Sequence, residues 1–110
     1  MNIEATRTGT TVVIKVVGRL DADNAPKFEQ ACKAWVEQGA RTLVIDMSEL
    51  TYVSSMGLRS FMVIGKDLTE HSGALHLCGL TGLVKQVFEI TRLNTVFTMH
   101  SSVDSALAAT

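Results

Sequence analysis

Proline occurs once in this chain, at Pro26, aromatic residues make up 5%, and there are two cysteines among 110 residues. With one proline and no low-complexity tract there is no visible linker, so 1–110 reads as one domain. Cys32 and Cys78 are far apart and both fall at apolar-periodic positions, as buried free thiols would. His71, His76 and His100 are equally dispersed, and none has metal-ligand spacing to a cysteine or carboxylate. Ten basic and eleven acidic residues nearly cancel, without a basic run, which argues against a nucleic-acid surface. Apolar runs such as Val12-Val13-Ile14 fall far short of the roughly 20 residues of a membrane span. Met1-Asn2-Ile3-Glu4 lacks the charged start and apolar stretch of a signal peptide, so the expected location is cytoplasmic. Neither G-x-G-x-x-G nor a P-loop occurs, and no cofactor is implied.

What remains is ample core material, 46% apolar against 19% charged, arranged in alternating strand and helix patterns. Residues 2–6 alternate weakly, as an edge strand does. Arg7-Thr8-Gly9-Thr10 is a turn, and Val12 to Val17, apolar on both faces, reads as an interior strand completing an antiparallel hairpin. Asn24 is a candidate cap for a first helix that takes Pro26 in its first turn, carries Phe28, Cys32, Trp35 and Val36, and ends at Gly39. Thr42 to Ile45 reads as a buried strand, and Asp46 to Thr51 as a polar loop. A second helix starts near Ser54-Ser55 and stops at Gly73. The spacing turns Leu58, Phe61, Met62, Gly65 and Leu68 inward and leaves Met56, Arg59, Ser60 and Val63 outward. Ala74 to Cys78 is a strand, Leu83 to Thr91 a third helix with Asn94 near its end, Val96 to Met99 a short strand, and Ser102 caps a small last helix. The order β-β-α-β-α-β-α-β-α predicts an α/β fold: a mixed, mostly parallel sheet with an N-terminal hairpin and about four helices.

In such a sheet the loops at the carboxyl ends of the parallel strands gather on one edge, where binding sites form. The loop Gly18 to Asn24 and the loop ending at Ser54-Ser55 should therefore be neighbours. The serine pair has two readings. It caps a helix, or one serine accepts a phosphate, which the unpaired N–H groups and positive dipole end of a helix N-terminus tolerate. Gly57, without a β-carbon, would let a partner approach closely. A serine nucleophile is disfavoured, because the first glycine of a G-x-S-x-G elbow is missing and no histidine falls on the site-bearing loops. Asp21, Asp23 and Asn24 would form an acidic rim beside Ser55, where an arriving phosphate is felt electrostatically.

The motifs Gly18-Arg19-Leu20-Asp21 with Asn24-Ala25-Pro26, Leu43-Val44-Ile45-Asp46-Met47-Ser48, and Tyr52-Val53-Ser54-Ser55-Met56-Gly57-Leu58 carry a resemblance. Together with Val87 to Thr91, Val96-Phe97 and Ser102 to Leu107, they make the chain resemble the STAS domains, and among them the bacterial anti-sigma-factor antagonists. The resemblance covers essentially the whole chain and implies a non-enzymatic partner switch. The unphosphorylated antagonist binds an anti-sigma factor that is also a serine kinase, freeing the sigma factor; phosphorylation ejects it and a serine phosphatase restores it. Matched to the family's Asp-Ser-Ser/Thr-Gly pattern, the phosphoacceptor is Ser55, with Ser54 the second choice, and Asp21 matches an acidic family position. Ser54 replaces the common aspartate and Met56 the second hydroxyl. The implied partner surface comprises Asp21, Asp23, Asn24, Ser54, Met56, Gly57, Arg59 and Val63. A STAS subunit of a lipid or anion transporter is the alternative setting.

Overall fold

Gly9, at φ 62°, turns the chain back on itself between strands β1 (Asn2–Thr8) and β2 (Thr11–Leu20). The two pair antiparallel from Asn2 opposite Val17 to Thr8 opposite Thr11. A computed structural model describes residues 1–110. Beyond the hairpin the chain runs through α1 (Ala25–Glu37), β3 (Thr42–Asp46), β4 (Leu50–Val53), α2 (Ser55–Glu70) and β5 (Ala74–Cys78). It closes with α3 (Gly82–Ile90), a 3₁₀ turn (Leu93–Thr95), β6 (Thr98–His100) and α4 (Val103–Ala108). The six-stranded sheet has the order β1-β2-β3-β5-β6, with β4 alongside β2. Only the β1–β2 pair is antiparallel, so the expected mixed, mostly parallel sheet with its hairpin and four helices is what forms.

Alternation along β2 puts Val12, Ile14 and Val16 into a core closed by Phe28, Cys32 and Val36 of α1 and by Phe61, Ile64 and Leu68 of α2. Val84 and Phe88 of α3 complete it. Phe61 stands edge-on to Phe28 at 5.3 Å and to Phe88 at 5.9 Å, so one ring ties three helices together. Each such buried ring contributes roughly 1.5–3 kcal/mol relative to its exposed state. The opposite sheet face is covered in part by α4, where Ala106 packs with Val44 and Cys78. Cys32 and Cys78 are both free and buried, and burial pushes the Cys32 thiol up to about 12. No helix is long and apolar enough to cross a membrane.

Three expectations are corrected. Part of the polar loop expected over Asp46 to Thr51 is strand: β4 begins at Leu50 and pairs parallel with Gly18 to Leu20. The ten-residue β2 outruns β3, whose pairing stops at Lys15 opposite Asp46, and β4 takes the vacant edge. The inward face of α2 is rotated. Gly57, Ser60, Phe61, Ile64 and Leu68 are buried, Ser60 is only 2% exposed, and Met62 is 51% exposed. The Ser60 hydroxyl is satisfied there, within 3.3 Å of the Ala25 carbonyl and 3.2 Å of the Met56 carbonyl. Finally, α3 ends at Ile90, and Arg92 at φ 60° turns the chain into the 3₁₀ segment, so Asn94 lies outside the helix and the last strand starts at Thr98.

Candidate functional site

The carboxyl ends of β2 and β4 bring two loops together. Leu20 is registered with Val53, and the Ser54 N–H donates to the Leu20 carbonyl at 2.9 Å. The Thr51 hydroxyl donates to the Gly18 carbonyl at 3.0 Å, fastening the same seam lower down. The segment at Asp21 and the start of α2 are thus neighbours, as the topology predicts.

At that start the two serines divide the work. Ser54 is extended, with φ −86° and ψ 171°, and its Oγ accepts the Gly57 N–H at 3.1 Å. It is the helix cap, which satisfies one of the donors a helix N-terminus leaves unpaired. Ser55 is the first helical residue and its side chain is exposed. A group attached to its hydroxyl sits at the positive end of a helix of 16 residues without displacing the cap.

Gly57 corrects a further expectation. It is buried against the sheet, and a β-carbon there would meet Val53 Cγ2 at 2.9 Å and Leu20 Cγ at 3.0 Å. Its missing side chain serves close packing of helix on sheet and offers no room to a partner. Along the open side of α2, Met56 is 40% exposed, Arg59 is exposed and Val63 is half-buried.

Asn24 corrects another. It occupies the position before α1, yet its side chain makes no cap bond to the helix. Instead its Oδ1 accepts the Asp21 N–H at 2.8 Å and its Nδ2 donates to the Arg19 carbonyl at 2.8 Å. Asp21 answers by accepting the N–H groups of Asp23 at 3.0 Å and Asn24 at 3.1 Å through Oδ1. These reciprocal bonds brace the loop in one shape, with Asp23 exposed at its tip and Asp21 half-buried.

Arg19 gains its role only in the folded chain. Its guanidinium carbon lies 4.1 Å from the centroid of the Tyr52 ring, a cation–π contact set by the pairing of Arg19 with Tyr52. The signal was present in the two motifs, but only the β2–β4 register joins them. By sequence the three histidines are dispersed. His71 is, at the far end of α2, but His76 and His100 meet, with Nδ1 of the first 2.9 Å from Nε2 of the second. Burial, with the neighbouring His100, holds the His76 imidazole below its ordinary pKa.

The chain is similar to known proteins. BtrV of Bordetella bronchiseptica, named as a candidate anti-sigma factor antagonist, is 37% identical over 92 residues, covering 84% of this chain and 79% of BtrV. The anti-sigma-B factor antagonist of Staphylococcus aureus is 29% identical over 100 residues, 91% of each chain. Among solved structures, the Bacillus cell fate determinant SpoIIAA in its phosphorylated form superposes with a TM-score of 0.76 at 20% identity, covering 98% of both chains. The STAS domain model matches residues 2–106, and the chain belongs to the STAS domain family.

Proposed function

We propose that this chain is an anti-sigma factor antagonist, a binding protein without catalytic activity that works by partner switching in the cytoplasm. The unphosphorylated form binds an anti-sigma factor that is also a serine kinase and thereby frees the sigma factor. Phosphorylation of Ser55 ends the complex, and a serine phosphatase restores it. The observation that carries this reading is the division of labour at the start of α2: Ser54 is occupied as the cap, while Ser55 is exposed beside the Asp21 loop. The roles named for BtrV and the Staphylococcus aureus protein support it, as does a fold relative that has been solved phosphorylated.

The physical basis of the switch is charge. A phosphoserine carries about −1.5 to −2 at pH 7. The helix N-terminus tolerates that charge, so the fold persists while the surface changes. The partner covers Met56, Arg59 and Val63 on α2 together with Asp21 and Asp23. Met62, which turns outward, extends the same apolar strip. A dianion at Ser55 then lies inside the contact, close to Asp21 and Asp23, where like charges cost on the order of several kcal/mol. Each 1.4 kcal/mol or so is tenfold in affinity, enough to release the partner. Incubation with the kinase and ATP, followed by peptide mapping by mass spectrometry, tests the assignment. One phosphate on Ser55 is the expected result; modification of Ser54 with Ser55 untouched overturns it.

A further inference from the structure

The β2–β4 seam holds a pair of side chains that the proposed switch does not use. Between Gly18 and Arg19 the register shifts by one residue. Gly18 stands opposite Leu50 and Arg19 opposite Tyr52, with Thr51 the extra residue. That bulge sets Tyr52, instead of Thr51, beside Arg19. Bulges are enriched next to functional sites, where they re-aim a side chain. Leu20 and Val53 point into the core, so alternation turns Arg19 and Tyr52 to the opposite face of the sheet. There the guanidinium carbon lies 4.1 Å from the ring centroid, with Arg19 exposed and Tyr52 half-buried. The Arg19 backbone is fixed as well, since its carbonyl accepts Asn24 Nδ2 at 2.8 Å.

The charge of Arg19 is unanswered within the chain. The ion pairs are Lys15–Glu49, Lys33–Glu29 and His71–Asp67. Arg7 and Arg41 donate to main-chain carbonyls, and the Arg19 guanidinium donates to none. Asp21, two residues on, is turned to its own loop, where Oδ1 accepts the N–H groups of Asp23 and Asn24. Stacking uses the flat face of a guanidinium and leaves its N–H donors free, in the fork that matches a carboxylate. Arg19 is thus held in place before a partner arrives, which removes much of the entropy cost of ordering a long side chain at an interface. With Arg19 two residues before Asp21 and Tyr52 three before Ser55, the pair borders the surface assigned to the partner.

Granted the partner switch proposed above, on which this rests, we infer that Arg19, stacked on Tyr52, is the docking point for a carboxylate side chain of the anti-sigma factor. Asp21 and Asp23 call for basic groups on the partner, and Arg19 calls for an acidic one beside them. A patch of mixed sign fixes the register of docking. A protein that sets a basic group against Arg19 is rejected by like charge, so Arg19 also selects which anti-sigma factor is accepted.

The probe is the purified anti-sigma factor kinase that modifies Ser55. In titration calorimetry Arg19→Glu should bind it about tenfold or more weakly at an unchanged melting temperature, with Arg19→Gln intermediate. High salt should weaken binding of the unaltered chain more than binding of Arg19→Gln. Arg19→Lys supplies an amine at the same place. Carbodiimide treatment of its complex should join position 19 to an aspartate or glutamate of the kinase, located by peptide mapping. Equal affinity in Arg19→Glu overturns the inference and leaves the switch standing, as does cross-linking confined to other lysines. Absence of binding by the unaltered, unphosphorylated chain overturns the switch itself, and the inference with it. If Arg19→Glu unfolds, Arg19→Gln and the cross-link decide.

Discussion

The main-chain N–H of Ser54 donates to the carbonyl of Leu20 at 2.9 Å, one residue before Asp21, so a single backbone bond holds the start of α2 against the acidic loop. That bond depends on how closely α2 approaches the end of β2, and Gly57 sets the approach.

Gly57→Ala should destabilise the fold. A methyl 2.9 Å from Val53 Cγ2 and 3.0 Å from Leu20 Cγ forces the helix outward. Overpacking of this kind costs typically about 1–3 kcal/mol. A lowered midpoint in urea denaturation is the expected reading, and an unchanged midpoint would return Gly57 to the role of partner contact.

The two serines should separate cleanly by substitution. Ser54→Ala removes the acceptor of the Gly57 N–H and should lose about 0.5–2 kcal/mol. Ser55→Ala removes only an exposed hydroxyl and should change stability by no more than about 0.5 kcal/mol. In kinase assays Ser55→Ala should take up no phosphate and still bind the partner, whereas Ser54→Ala should remain a substrate. A folded Ser55→Ala that fails to bind would make its hydroxyl a binding determinant.

Met56→Glu and Met62→Glu each put a charge on the open side of α2, where the parent side chains are 40% and 51% exposed. Both should leave the melting temperature nearly unchanged and weaken partner affinity tenfold or more, as read by titration calorimetry. Unchanged affinity in both would move the interface off this helix.

Thiol reactivity should report unfolding. Cys32 and Cys78 are buried, and Cys32 carries a thiol whose pKa burial pushes up to about 12, so at pH 8 it holds almost no thiolate. A colorimetric disulfide reagent should label neither in the native chain and both in denaturant. Rapid native labelling of Cys32 would contradict the packing of α1 on the sheet.

Much of this protein is decided locally. The Gly9 turn, the alternation through Val12, Ile14 and Val16, the helical spacing of Phe28, Cys32 and Val36, and the serines before α2 are each readable within a few residues. Short-range periodicity and cap chemistry need nothing from distant parts of the chain. From these the alternating order, the mostly parallel sheet and the nearness of Asp21 to Ser55 all follow.

Three features needed the tertiary structure. Leu50 to Val53 is a strand because the far half of β2 leaves backbone donors and acceptors that only a distant segment can pair. The rotation of α2, which buries Ser60 and exposes Met62, is decided by where Gly57 meets Leu20 and Val53, and an apolar count along the helix carries no information about that contact. Which serine caps the helix is local, but the stacking of Arg19 on Tyr52 and the meeting of His76 with His100 are matters of register. Parallel strands take their register from the packing of the elements between them, so a residue's neighbour across the sheet is invisible until the whole chain has closed.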